Sequence, residues 1–178
     1  MNAAALDVAA SVERDRALER LVRGAQRGDQ LAMAELMDLL VPYVGRLTGP
    51  IALENGADAA QESLIAIFRG LRGLREPTAL FGWARAIAVR EGIRVARREQ
   101  RRAADVITEL PAHEDHLLGL EIRETLSRLS PEHRAVLVLR DLEGLDEETA
   151  GRLLMVPTGT VKSRLARARA SFRKAWER

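Results

Sequence analysis

The sequence predicts an all-α protein built from two small helical domains joined by a flexible linker. Three observations carry that prediction. Apolar residues recur at steps of three and four along successive stretches, the spacing of one helix face. Residues 130–172 have the rhythm of two short helices around a tight turn, followed by a third, basic helix. Between the two halves, residues 103–116 carry a proline, acids and little periodicity, the composition of a linker. The domains are therefore expected over residues 17–102 and 117–178.

Residues 1–16 are alanine-rich and polar and read as a frayed lead-in. Leu18, Leu21, Val22 and Ala25 give the first stripe, interrupted at Gly28-Asp29. A second helix is expected from about Leu31, with Ala32, Leu36, Leu39 and Leu40 inward and an end near Pro42. Residues 48–56 hold a proline and two glycines and read as a loop. Asp58 opens an amphipathic helix running through Leu64, Ile65, Ile67 and Phe68. Residues 69–78 (RGLRGLREPT) place two glycines, a proline and three arginines between helices. The next helix spans residues 80–98. Trp83, Ala84, Ile87 and Ala88 face inward there, and Arg85, Arg90, Arg94, Arg97 and Arg98 decorate the rest.

After the linker, Leu118, Ile122, Leu126 and Leu129 stripe a helix. Ser130-Pro131 is a helix start, a hydroxyl cap followed by proline where its missing N–H costs nothing. Val136, Leu137, Leu139 and Leu142 form its apolar face, and Gly144 closes it. Asp146 can cap a short helix carrying Ala150, Leu153 and Leu154 inward, with Glu147 and Glu148 favoured by the dipole. Val156-Pro157 breaks that helix, and Thr158 can cap the third. There Val161, Leu165, Ala168 and Phe172 share one side. Ser163, Arg167, Ala170 and Lys174 lie opposite, flanked by Lys162, Arg164 and Arg169. Guanidinium groups beside a hydroxyl suit the major groove, where arginine reads guanine edges and lysine holds phosphates.

Composition narrows the classes. The chain has 178 residues and no cysteine, so neither a disulfide nor a thiolate metal site is available. His113, His116 and His133 are too dispersed for a metal cage, and no metal or cofactor is expected. No apolar run approaches about 18 residues, so no membrane span is predicted. The N-terminus lacks an apolar core flanked by bases, so a cytoplasmic protein is expected. Net charge is only +2, but its order is informative. Ten arginines between positions 69 and 102 face three acids; residues 105–150 hold twelve acids against four arginines; residues 151–178 hold eight bases against Glu177. Two basic stretches around an acidic one suggest two contacts with a polyanion.

The run Leu129-Ser130-Pro131-Glu132-His133-Arg134, with Val156-Pro157-Thr158-Gly159-Thr160-Val161-Lys162-Ser163-Arg164-Leu165, resembles the fourth region of bacterial sigma factors, most nearly the extracytoplasmic-function (ECF) class. The T-V-K-S-R step after a helix-turn-helix is shared with response-regulator output domains. Leu21-Val22-Arg23, Gly28-Asp29 and Ala32-Met33-Ala34-Glu35-Leu36 resemble the opening helices of sigma region two. Asp58-x-x-Gln61-Glu62, followed by Ser63, resembles the part of that region that docks on the clamp helices of the largest catalytic polymerase subunit. Trp83, Ile87 and Ala88 match the W-x-x-x-I-A of the promoter-reading helix. The family commonly has asparagine where this chain has Arg90.

The resemblance implies a non-catalytic alternative sigma factor whose partners are core RNA polymerase, promoter DNA and an anti-sigma factor. The minus-thirty-five element would be read by Thr158, Thr160, Lys162, Ser163, Arg164 and Arg167. The minus-ten element would meet Arg72, Arg75, Thr78, Arg85, Arg90 and Arg94, with one base captured by the 69–78 loop. Polymerase would bind Asp58, Gln61, Glu62 and Ser63. The rival class is a conventional operator-binding regulator with a sensing or dimerising N-terminal half. An enzyme has little support, because no phosphate loop, nucleophile elbow or metal-ligand pair can be made out.

Overall fold

A computed structural model describes residues 3–105 and 117–177; residues 106–116 of the expected linker, with His113 and His116, lie outside the described residues. The described residues form eight α-helices: α1 (Ala3–Gln26), α2 (Gln30–Ala52), α3 (Gly56–Gly70), α4 (Leu80–Asp105), α5 (Leu117–Ser127), α6 (Pro131–Leu137), α7 (Glu147–Leu154) and α8 (Thr158–Trp176). Helices α1–α4 make an N-terminal bundle, and α5–α8 pack as a second one.

Several boundaries differ from the expectation for physical reasons. Helix α1 already begins at Ala3, since a run of alanines needs no packing partner to favour the helix. Asp29 caps α2 by accepting from the N–H of Leu31 at 2.9 Å and of Ala32 at 3.2 Å. That helix does not stop at Pro42; it continues through Pro42 and Pro50 to Ala52, and the expected 48–56 loop shrinks to a 3-10 turn over Leu53–Asn55. Leu36, Leu40, Val44, Leu47 and Ile51 are fully buried along it. Burying five aliphatic side chains, at about 1.5–3 kcal/mol each, outweighs the cost of the two prolines, roughly 3 kcal/mol each. Leu39, expected inward, is 46% exposed because it lies off this stripe. An 18-residue window from this region has a mean hydropathy of 1.2, enough by length and composition for a membrane span. Its buried stripe against α3 and α4 accounts for that apolarity as bundle core.

In the C-terminal bundle, Ser130 caps α6 by accepting from the His133 N–H at 3.3 Å. A π-helical turn over Val138–Leu142 follows directly, and Gly144 sits at φ +66. The wider turn advances the register by one residue. It keeps Val138 and Leu139 buried and turns Leu142 out to 54% exposure, contrary to its expected place in the stripe. Asp146 caps α7, accepting from the Thr149 N–H at 2.8 Å. Helix α7 ends on Met155 in the left-handed region (φ 55), and the Val156 N–H bonds to Gly151 O at 3.0 Å. A Cβ on Gly151 would stand 2.8 Å from Val156 O, so only glycine admits this turn. Pro157, not Thr158, occupies the position preceding α8, and its carbonyl accepts from the N–H groups of Thr160 and Val161.

The two bundles are in contact. Most buried apolar residues, from Val22 to Ala168, belong to one continuous cluster, and Ala52, Ala59, Val95 and Ala96 form a small second one. Arg134 on α6 is the central polar link and is only 3% exposed. Its Nε donates to Ile51 O at the end of α2 (2.7 Å), and its Nη1 donates to Leu129 O (2.8 Å) and Leu126 O (3.3 Å). One guanidinium thus serves carbonyls at the end of α2 and at the turn that follows α5, where Leu126 O also accepts from the Leu129 N–H. Burial lowers its pKa to about 10. Beside it, an apolar groove of about 750 Å³ opens between Pro50, Ile122, Leu126, Leu142 and Phe172. Ile122, expected inward, is 43% exposed on its wall.

Candidate nucleic-acid interface

Helix α8 presents the first surface. Val161, Leu165 and Ala168 are buried against α6 and α7, with Phe172 half-buried, so packing fixes which side faces out. Thr158, Lys162, Ser163 and Arg167 are exposed, and Thr160 and Arg164 are partly covered at the edge. Ser163 donates its hydroxyl to Thr160 O at 3.1 Å. Lys162 lies 3.8 Å from Glu147 of α7. Arg167 has no ion-pair partner among the described residues. Arg169 is turned aside by Asp141, whose carboxylate accepts from it and raises its pKa further.

The second surface is on the N-terminal bundle. Arg72, Arg75 and Thr78 are exposed on the connection between α3 and α4, which forms two 3-10 turns, Leu71–Gly73 and Pro77–Ala79. Its base is tied to α1: the Gln26 amide donates to Leu71 O at 2.9 Å and to Leu74 O at 2.8 Å. That bracket was not legible, since a glutamine in a helix carries no long-range signal. Trp83 lies over Gly70, where a Cβ would stand 2.9 Å from Cζ2, so close approach of the ring requires glycine there. Ala84 and Ala88 are fully buried and Ile87 is 9% exposed, which turns Arg90 and Arg94 outward. Arg94 pairs with Glu62 and Glu91.

Arg85 is different. Its side chain is 20% exposed, and its Nε donates to the Tyr43 hydroxyl at 2.9 Å and lies 3.1 Å from Glu143 Oε2. Glu143 belongs to the C-terminal bundle, so this arginine is covered by the other half of the chain. Further along α4, Arg97 pairs with Glu132 of α6. Burial alone would raise the Glu132 carboxyl. Its own backbone N–H, Arg97 and Ser130 outweigh that and hold it below the usual carboxylate range.

The acid-amide group on α3 divides. Asp58 and Gln61 are exposed. Glu62 is partly covered and pairs with Arg98 at 3.1 Å as well as with Arg94. Ser63 is fully buried, its hydroxyl donating to Ala59 O at 2.6 Å. Its side chain is thus part of the bundle interior and not of an outward docking face, because position 63 falls on the same side as Ala59 and Ile67. No group of His, Asp or Glu able to hold a metal ion occurs among the described residues.

Comparison with known proteins extends over both bundles. A family model described as "Sigma-70, region 4" matches residues 119–172. The chain is 31% identical over 182 residues to the RNA polymerase sigma-H factor of Pseudomonas aeruginosa, covering 88% of this chain and 92% of that protein. It is 30% identical over 172 residues to the ECF RNA polymerase sigma-E factor of Salmonella typhimurium, covering 85% and 90%. With the ECF RNA polymerase sigma factor SigE of Mycolicibacterium smegmatis it shares 31% over 163 residues, 82% of this chain but 63% of that longer relative.

Among solved structures, the fold is similar to the complex of the sigma factor RpoE with the anti-sigma factor NepR from Bartonella quintana. The TM-score is 0.64 at 20% identity, covering 82% of this chain and 96% of that one. It is also similar to the structure of CnrH with the cytosolic domain of CnrY, with a TM-score of 0.61 at 20% identity, covering 92% and 97%. The helix order, the basic face of α8 and the near full-length identity agree: this chain belongs to the ECF family of RNA polymerase sigma factors.

Proposed function

We infer that the protein is an alternative sigma factor that binds core RNA polymerase and directs promoter-specific initiation of transcription. It acts by binding, without catalysis, in the cytoplasm where polymerase and chromosome are found. The observation that carries this reading is identity of 30–31% to sigma factors running through both bundles. A conventional operator-binding regulator would share the α6–α8 unit alone.

Within that reading, α8 enters the major groove of the upstream element. Arg167 makes the base contact, with Lys162, Ser163 and Thr158 on or near the backbone. Arg72, Arg75 and Thr78, with Arg90 and Arg94, meet the downstream element where the duplex opens. Unstacking a base costs a few kcal/mol, which contacts from this basic connection would offset. Asp58 and Gln61 form the exposed part of the polymerase contact, with Glu62 at its edge. An anti-sigma protein is the expected antagonist. The apolar groove between Pro50, Ile122, Leu142 and Phe172, beside the contact between the bundles, is the seat proposed for it.

Co-elution of the purified chain with core polymerase, followed by run-off transcription from genomic promoter fragments, tests the proposal. Stable association and new start sites are expected. Tight duplex binding by the chain alone, without association with core, would instead establish an operator-binding regulator.

A further inference from the structure

Glu143 occupies a place built for an anion. Its side chain is 6% exposed, at the end of the π-helical turn of the C-terminal bundle, yet both its oxygens face arginines of the N-terminal bundle. Oε1 accepts from Arg46 Nη2 of α2 at 3.0 Å, and Oε2 lies 3.1 Å from Arg85 Nε of α4. Tyr43 organises both cations. Its ring lies 5.4 Å from the Arg46 guanidinium carbon, and its hydroxyl accepts from Arg85 at 2.9 Å while donating to Phe81 O at 3.3 Å. Phe81 in turn packs edge-on against that ring, with centroids 5.1 Å apart. Burial raises the phenol's pKa, so Tyr43 keeps the proton it donates.

Two arginines from different helices, presented to the two oxygens of one carboxylate, match equally well two oxygens of a phosphodiester. We propose that Arg46 and Arg85, oriented by Tyr43, form a seat for one backbone phosphate of promoter DNA, and that Glu143 fills this seat while the two halves are packed together. The inference rests on the sigma-factor reading, and it adds Arg46 and Tyr43 to the nucleic-acid surface. It also gives the contact between the halves a role. Arg85 lies on the helix proposed to meet the downstream element, so DNA and Glu143 compete for one site. The closed arrangement therefore withholds part of the DNA surface until the halves separate, and a protein whose competent state is minor binds more weakly by that fraction.

The test uses the full chain, a fluorescein-labelled single-stranded oligonucleotide of mixed sequence, and anisotropy titrations across a range of salt. Glu143→Gln keeps the shape of the side chain and removes its charge. It should raise affinity by about threefold or more, with an increase in radius of gyration by small-angle scattering. Arg46→Ala is then added to Glu143→Gln. A phosphate ligand lost from an already opened chain should lower affinity and reduce the salt slope by roughly 0.7. Arg128→Ala, just past the end of α5 and paired among the described residues with Glu124 at 2.9 Å, controls for a generic loss of charge and should leave the slope unchanged. Tyr43→Phe, which retains the ring and removes the hydroxyl, should show part of the Arg46 effect.

If Glu143→Gln strengthens binding and adding Arg46→Ala changes nothing, Arg46 serves only to clasp Glu143. The phosphate seat is then overturned while the DNA-binding reading stands. If no variant binds the oligonucleotide at any salt, the seat falls, and co-elution with polymerase decides separately whether the sigma-factor reading falls too.

Discussion

Replacing Arg134 by alanine tests the link between the two bundles most directly. Burial works against its cation and lowers its pKa to about 10. Its three bonds to Ile51 O, Leu129 O and Leu126 O are charge-assisted, worth roughly 1.5–3 kcal/mol each. Removal forfeits all three bonds and takes the guanidinium from Ile51 O and Leu129 O, while Leu126 O keeps the Leu129 N–H. Arg134→Ala should lower unfolding free energy by about 2–4 kcal/mol in urea titrations followed by circular dichroism. Arg134→Lys should recover little, because a single ammonium cannot reach acceptors on two elements with the fork geometry of a guanidinium. If Arg134→Ala and Arg134→Met both stay within about 0.5 kcal/mol of the parent with the same denaturant slope, the side chain is not the clasp described above.

Four further outcomes are expected. Arg167→Ala should cost roughly 1–3 kcal/mol on the preferred upstream sequence and flatten discrimination there, as read by competition binding; equal loss on all sequences would make it a phosphate contact. Asp58→Arg combined with Gln61→Ala should abolish co-elution with core polymerase while leaving the melting temperature within a few degrees, since both positions are exposed. Gly151→Ala should destabilise the α7–α8 turn by about 1–3 kcal/mol, because its Cβ meets backbone and no flexible side chain can give way. Glu132 has a folded pKa below its unfolded value of 4.5, so its stabilising contribution is present above that value and disappears as pH falls through the lower folded one. An acid titration of stability should show this slope in the parent and lose part of it in Glu132→Gln; an identical slope in both would place the acid sensitivity elsewhere.

How legible the fold was depends on what each signal depends on. Caps at Ser130 and Asp146 are local, a side-chain oxygen against the N–H three residues on, and their residue types announce them; Asp29, read only as an interruption, caps α2 in the same way. The buried face of α8 was equally plain, because Val161, Leu165 and Ala168 repeat along a straight helix. Pro42 misled, since its local penalty is overruled by aliphatic residues that find partners on α3 and α4. Leu142 misled because a π-helical turn shifts the register without a residue type to mark it. The site divided in the same way. Exposed arginines on α4 follow from helix phase, whereas Glu143 reaching Arg85 follows from where two bundles meet, 58 positions apart in the chain. Ser63 belongs to the Asp58–Ser63 stretch that the resemblance assigns to polymerase, yet its side chain turns inward, because consecutive residues on a helix point about 100° apart.

The Gln26 bracket has a consequence for timing. By holding Leu71 O and Leu74 O from α1, it settles the backbone of the 71–74 turn during folding. Arg72 and Arg75 therefore stand on a base already ordered before any strand arrives, and the freedom they surrender on contact is mainly that of their own side chains. A connection of the same sequence without this bracket would order its backbone only on encounter, and would be expected to release the strand sooner.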